Sequence, residues 1–153
     1  MTWIPREASP IEFSSASPEE TEALGERLAL KLGPGSVLAL RGPLGAGKTC
    51  FAKGLARGLG VEEEVTSPTY TIVSEYEAQL KDPLPFYHID AYRLNGEDDF
   101  EALGGRELLY GGGICLIEWS ERIETALPPR TIRVEIEITG GNSRIIRVLG
   151  ELP

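Results

Sequence analysis

The 153-residue chain has few cysteines and no long apolar segment. Cys50 and Cys115 lack the spacing of metal ligands, so we expect two small buried apolar residues rather than a disulfide framework. No apolar run approaches the roughly 18 residues that span a bilayer. The first residues, 1–7, lack the apolar core of a secretory signal. These absences, with a length suited to one core, predict a single cytoplasmic domain over residues 1–153 with no membrane partner.

Basic residues are also scarce. The chain has 15 Lys and Arg residues against 24 Asp and Glu residues, a formal charge of −9. Such a chain repels a polyphosphate backbone, so any role on RNA is expected to be indirect, through a partner. The sequence also lacks an Asn-Lys-x-Asp segment for reading guanine, which disfavours a regulatory GTPase. An Arg-rich lid segment is absent as well, which counts against a small-molecule kinase.

Residues 42–49, Gly-Pro-Leu-Gly-Ala-Gly-Lys-Thr, are a complete phosphate-binding loop between an apolar strand and an amphipathic helix. Glycines without a Cβ let the chain wrap tightly, with backbone N–H groups pointing at oxyanions. Lys48 supplies an ammonium for the β- and γ-phosphates, and Thr49 offers a hydroxyl to Mg²⁺. A Gly-rich turn with a solvated lysine would explain neither the three glycines nor the Lys-Thr pair. The loop therefore predicts nucleotide binding.

The hydrophobic pattern alternates between strands and helices. It predicts an α/β fold of the P-loop NTPase type, a three-layer sandwich with a mixed central sheet flanked by helices and a C-terminal antiparallel hairpin. Ser17 is the expected N-cap of a first helix that packs on the sheet and ends at Gly33-Pro34-Gly35. Other helices are expected over 48–59 and over 97–109, the latter interrupted at Gly104-Gly105. Strands are expected at 11–15, 37–40, 70–76, 84–89, 114–117 (in the sheet centre), 131–139 and 144–149.

Polar residues follow two of these strands. Glu118 comes after strand 114–117, where phosphate-loop proteins place an acidic residue beside the loop, and it is the candidate second Mg²⁺ contact. A solvated strand-end carboxylate is the alternative. Trp119 could stack on a base or pack on the core.

The other strand, 84–89, leads into a second polar cluster. Asp90 could orient the attacking water or the metal shell, and His88 could hydrogen-bond near the γ-phosphate. Arg93 could offset developing charge, or form an ordinary salt bridge.

Four motifs together resemble the bacterial TsaE family: residues 42–49, 66–70 (Thr-Ser-Pro-Thr-Tyr), 88–94 (His-Ile-Asp-Ala-Tyr-Arg-Leu) and 117–119 (Ile-Glu-Trp). The resemblance covers nearly the whole chain. It implies an ATPase needed to make threonylcarbamoyladenosine (t6A), the modified base next to the anticodon in tRNAs that read codons beginning with A. In that family the protein works with the TsaB–TsaD pair, in which TsaD transfers the threonylcarbamoyl group from an adenylate made by TsaC.

The resemblance also assigns roles to residues. ATP would be bound and Mg²⁺ held by Thr49 and Glu118, while Lys48, Asp90 and Glu118 would act in catalysis. Residues 66–70 would be a switch-like segment over the nucleotide. The expected nucleotide-contacting residues are Gly42, Leu44, Gly45, Ala46, Gly47, Lys48, Thr49, Cys50, Asp90 and, as an adenine neighbour, Glu121. Hydrolysis is expected to be slow without partners. A small-molecule kinase and a non-hydrolytic nucleotide-gated scaffold remain the alternatives.

Overall fold

The computed structural model describes residues 10–65 and 72–150. Its strands are β1 (Ile11–Ser15), β2 (Val37–Arg41), β3 (Val73–Gln79), β4 (Pro83–Asp90), β5 (Ile114–Glu118), β6 (Ile132–Gly140) and β7 (Ser143–Leu149). Its α-helices are α1 (Pro18–Ala29), α2 (Lys48–Gly58), α3 (Glu97–Ala102) and α4 (Gly105–Tyr110), and a 3₁₀ helix covers Ser120–Ala126. Within this part of the chain, no helix is long and apolar enough to cross a membrane.

The strands form one mixed sheet in the order β1-β7-β6-β2-β5-β4-β3. The four middle strands, from β6 to β4, are parallel, and antiparallel pairs extend the sheet at both edges. The predicted hairpin is present as β6–β7, but it does not end the sheet, because β1 pairs along the outer side of β7. The predicted central strand is β5, which lies beside the middle strand β2 and is buried throughout.

Helices cover both faces of the sheet, which confirms the three-layer α/β architecture. On one face, α1 and α2 pack with Leu38 and Leu40 of β2 in one apolar cluster. On the other, α3, α4 and the 3₁₀ helix pack with Val37 and Ile117 in a second cluster. Alternate residues of β2 point to opposite faces, so a single buried strand contributes to both clusters.

The first helix begins where the sequence predicts. The Ser17 hydroxyl accepts a hydrogen bond from the Glu20 N–H at 3.1 Å, and a Glu20 carboxylate oxygen accepts from the Ala16 N–H at 3.0 Å. These two bonds satisfy N–H groups at the helix start that have no partner within the helix. The regular helix ends at Ala29, earlier than the predicted glycine stop, because the next N–H groups bond three residues back and tighten the chain into a turn.

Glycines let α1 and α2 cross with their backbones in contact. A Cβ added to Gly54 of α2 would lie 1.8 Å from the Glu22 carbonyl oxygen, and one added to Gly25 of α1 would lie 2.4 Å from the Phe51 carbonyl oxygen. The sequence predicts that α1 packs on the sheet, but α1 makes its closest contacts with α2. This contact fixes the helix that begins at the phosphate-binding loop.

The remaining predicted elements are present with small shifts. The expected extended segment 70–76 appears as β3, which starts at Val73; residues 70 and 71 lie outside the described residues. The predicted break at Gly104-Gly105 separates α3 from α4, and Gly104 has φ +82°, a left-handed conformation that glycine adopts without strain.

Candidate nucleotide-binding site

A cavity of about 570 Å³ lies where β2, β4 and β5 end. Parallel pairing puts Asp90 opposite Glu118, and Glu118 opposite Leu40 of β2, so the ends of the three strands meet at one edge of the sheet. The cavity is lined by Leu44, Gly45, Gly47, Lys48, Thr49, Cys50, Asp90, Tyr92, Glu118 and Trp119. The fold therefore brings together most residues that the sequence nominated.

Three of the expected nucleotide-contacting residues do not line the cavity. The Ala46 side chain is buried in the apolar cluster below the loop, and the Gly42 carbonyl oxygen accepts a hydrogen bond from Lys48. Glu121 is exposed on the 3₁₀ helix, 3.9 Å from the Arg41 guanidinium, so its expected place beside the adenine stays a prediction. The switch-like segment 66–70 lies outside the described residues.

The loop backbone has the shape that an anion site needs. Gly45 and Gly47 have φ +78° and +106°, in the left-handed region that residues with a Cβ rarely adopt. Gly47 is the N-cap of α2, and its carbonyl accepts the Phe51 N–H at 2.9 Å. The first N–H groups of an α-helix have no partner within the helix, and the first turn of α2 carries no acidic residue. The positive end of α2 therefore faces the cavity.

Lys48 is a cation withdrawn from water. Its side chain donates to the Gly42 carbonyl oxygen at 2.5 Å, and its ammonium lies 4.0 Å from the centre of the Trp119 ring. Burial lowers the pKa of Lys48, while the charges of Glu118, Glu121 and Asp90 act in the opposite direction. The carbonyl and the ring hold the ammonium at the cavity wall before any phosphate binds.

Glu118 is a buried carboxylate that is hydrogen-bonded to a buried histidine. Only 5% of the residue is exposed, and its Oε2 accepts a hydrogen bond at 2.5 Å from Nε2 of the fully buried His88. The proposed contact of His88 with the γ-phosphate is wrong in this structure, because the imidazole does not line the cavity and instead orients Glu118. In the tautomer that donates from Nε2, the other imidazole nitrogen, Nδ1, is an acceptor, and it has no hydrogen-bond partner within the described residues.

Oxygen atoms suited to Mg²⁺ gather at the same edge. Glu118 and Asp90 are neighbours on adjacent strands, and the Thr49 hydroxyl group belongs to the same cavity lining. The described residues contain no group of three or more His, Cys, Asp or Glu side chains that could hold a metal by themselves. Mg²⁺ commonly takes one or two protein carboxylates and completes its shell with water and substrate phosphates, so this donor set fits a metal bound together with a nucleotide.

The Trp119 ring forms part of the cavity wall, and its backbone has an uncommon left-handed conformation. It has φ 57° and ψ 40°, the one positive φ outside glycine in the described part of the chain. Its ring lies 4.9 Å from that of Tyr92, centre to centre, and both residues line the cavity. Left-handed residues with bulky side chains are uncommon and concentrate at functional sites. The sequence analysis gave Trp119 a candidate role but gave none to Tyr92. The available signal was that Tyr92 follows Asp90 by two residues, at the end of a strand.

Arg144, at the start of β7, was also missed. Its guanidinium donates to the carbonyl oxygens of Ala46 at 2.9 Å and Gly45 at 3.0 Å, which are nearly a hundred positions away in the sequence. Arg93, by contrast, is exposed and does not line the cavity. Nothing local in the sequence marks Arg144, because its contact arises from the return of the last strand to the loop.

Comparison with known proteins gives a consistent result. The family model described as "Threonylcarbamoyl adenosine biosynthesis protein TsaE" matches residues 15–146. The tRNA threonylcarbamoyladenosine biosynthesis protein TsaE of Treponema pallidum is 43% identical over 134 residues, covering 88% of this chain and 96% of that protein. The Bacillus subtilis protein of the same name is 44% identical over 136 residues, covering 89% and 83%. The crystal structure of Bacillus subtilis YdiB matches with a TM-score of 0.73 and 38% identity, over 94% of this chain and 86% of that one.

Proposed function

The chain belongs to the TsaE family of tRNA threonylcarbamoyladenosine biosynthesis proteins, and from that membership we propose that it is the ATPase of this pathway. The observation that carries the proposal is the cavity that joins the phosphate-binding loop to the ends of β4 and β5. Lys48, Thr49, Asp90 and Glu118 all line it. These are the groups that phosphoryl transfer needs, a cation and N–H donors for phosphate oxygens together with oxygen ligands for a metal.

Each side chain has a role in this proposal. The N–H groups of the loop and of the first turn of α2 would bind phosphate oxygens, and Lys48 would neutralise the β- and γ-phosphates. Thr49 and Glu118 would hold Mg²⁺, which offsets charge on the phosphate oxygens when bound. Asp90, whose Oδ1 accepts the Tyr92 N–H at 2.9 Å, would orient the attacking water or the metal shell.

Slow hydrolysis by the isolated chain follows from the same lining. Lys48 is the one cationic side chain among the described residues that line the cavity, and three carboxylates lie near it. A second positive donor at a phosphoryl-transfer site accelerates the reaction by about 10³–10⁵. We therefore propose that docking on the TsaB–TsaD pair supplies or orders the missing group. Because the pathway acts on tRNA, we place the chain in the cytoplasm, with tRNA contacted through the complex.

The test is ATP turnover by the purified chain, alone and with a TsaB–TsaD pair from the same source, at matched Mg-ATP. The proposal expects low basal turnover that rises with the pair and is lost in Lys48→Ala. Lys53→Ala is the matched control, because Lys53 lies on the exposed side of the same helix. Nucleotide binding without stimulation would favour a scaffold or a kinase. A gene deletion that leaves t6A in tRNA unchanged, with no second copy present, would contradict the role in tRNA modification.

A further inference from the structure

Arg144 fastens the last hairpin to the phosphate-binding loop. Besides its bonds to Gly45 and Ala46, its guanidinium donates to the carbonyl oxygens of Gly141 at 2.7 Å and Ser143 at 2.9 Å. Every one of these acceptors is a backbone carbonyl, and no carboxylate pairs with Arg144 within the described residues. One rigid fork thus ties the turn between β6 and β7 to two consecutive peptides of the loop.

Because of the geometry of the peptide bond, the contact of Arg144 with the loop also sets the direction of an N–H group at the cavity. A trans peptide is planar, and its N–H points opposite to its C=O. Fixing the Ala46 carbonyl on Arg144 therefore directs the Gly47 N–H away from the guanidinium. Gly47 lines the cavity, whereas Arg144 does not. The preceding peptide is held twice, since Arg144 binds the Gly45 carbonyl while the Ala46 N–H donates to the Pro43 carbonyl oxygen at 3.1 Å.

The same hairpin supports the start of the loop. A Cβ on Gly42 would lie 3.0 Å from the Ile136 carbonyl oxygen of β6, so the loop backbone passes directly against that strand. The loop is thus buttressed at Gly42 by β6 and at Gly45 and Ala46 by the side chain from β7. Both contacts come from one antiparallel unit, whose register places Ile138 opposite Arg144.

We propose that Arg144 is a positioning residue for nucleotide binding, which presets the Gly47 peptide so that its N–H faces the phosphates. The inference rests on the proposed nucleotide-binding function. Because preorganised donors do not have to be ordered when the ligand arrives, the loss of Arg144 weakens affinity for a nucleotide without removing any group that touches it. Arg144 acts through the loop and not as a catalytic residue.

The test compares Arg144→Met, Arg144→Lys and Arg147→Met. Arg147 is the matched control, since it lies on the same strand but pairs with Glu12, Glu135 and Glu137 instead of the loop. Mg-ADP affinity is measured by calorimetry at a temperature where each variant is folded, as verified by its thermal unfolding. The orientation of the Gly47 N–H is measured in the nucleotide-free protein from its residual dipolar coupling.

Arg144→Met is expected to bind Mg-ADP about tenfold more weakly, with a changed Gly47 coupling. Arg144→Lys keeps the charge but loses the planar guanidinium with its several N–H donors, so it is expected to bind Mg-ADP about fivefold more weakly than the wild type. This variant provides the test if Arg144→Met does not fold. Arg147→Met is expected to match the wild type. Full affinity in Arg144→Lys, or affinity within twofold of the wild type and an unchanged coupling in Arg144→Met, overturns the inference alone. A wild-type chain that does not bind Mg-ADP overturns the proposed function, and the inference with it.

Discussion

Gly54→Ala tests the helix crossing that holds α2, and with it the phosphate-binding loop. The new Cβ would lie 1.8 Å from the Glu22 carbonyl oxygen, and ordinary van der Waals contact begins at 3.4 Å, so α1 must move by about 1.6 Å. The atoms that this Cβ would meet are backbone atoms of Glu22, so no side-chain rotation relieves the clash. Alanine would by itself favour the helix by about 1 kcal/mol, whereas forcing packed elements apart costs typically 1–3 kcal/mol and occasionally more.

The clash at the upper end of that range, less the gain in helix propensity, leaves a loss of about 2 kcal/mol in the free energy of unfolding for Gly54→Ala. This is equivalent to a fall in melting temperature of roughly 4–8 °C for a chain of this size. Denaturant titration and thermal unfolding followed by circular dichroism measure both quantities. Gly33→Ala is the control with the same chemical change, because a Cβ there meets nothing within 4 Å, and its effect should stay within about 0.5 kcal/mol. A Gly54→Ala variant as stable as the wild type would show that the two helices are farther apart than described, and would refute the reasoning.

Three further predictions concern the cavity and its surroundings. Glu118→Gln keeps the shape and the oxygen that accepts from His88 but loses the charge, so the Mg²⁺ concentration for half-maximal turnover should rise about tenfold, and an unchanged requirement would contradict the metal role. Cys50 lines the cavity and is partly exposed, so iodoacetamide at pH 8 should label it, and bound Mg-ADP should protect it from labelling. Peptide mass spectrometry detects the label, and labelling of the buried Cys115 in native protein would count against the structure. Burial raises the pKa of the Cys115 thiol from 9.0 to about 12. The unfolded chain therefore loses this proton at lower pH than the folded chain, and between these values stability should fall by at most about 1.4 kcal/mol per pH unit; Cys115→Ala should show a shallower fall in alkaline denaturation curves.

Local signals in the sequence were enough to predict most elements. Ser17 and Glu20 form the expected cap, and the break at Gly104 divides a helix as expected, because both effects depend on neighbouring residues only. The position of β1 could not be predicted in this way. Its pairing with β7 joins residues more than a hundred positions apart, and an alternating segment such as 11–15 fits any exposed edge.

The same distinction applies to the cysteines and the site. Cys115 is buried as predicted, but Cys50 is only partly buried and lines the cavity. Cys50 belongs to the first turn of α2, and the loop does not cover this turn. Asp90 and Glu118 could be placed together because parallel strands end at one edge of the sheet. The role of His88 could not be predicted, because it lies on the same strand face as Asp90, and the pattern does not show that it is buried behind Glu118, two residues before the strand end.

The charges around Lys48 predict which form of a nucleotide would bind in the cavity. Lys48 is already desolvated and held by the Gly42 carbonyl and the Trp119 ring, so most of its desolvation cost is met during folding and not on binding. The carboxylates of Glu118 and Asp90, however, face the same space, and without a cation between them they repel phosphate oxygens. A single ammonium does not balance two carboxylates and a triphosphate. We therefore expect the cavity to favour the magnesium complex of a nucleotide over the free nucleotide, because only the complex turns these carboxylates from repulsive neighbours into ligands.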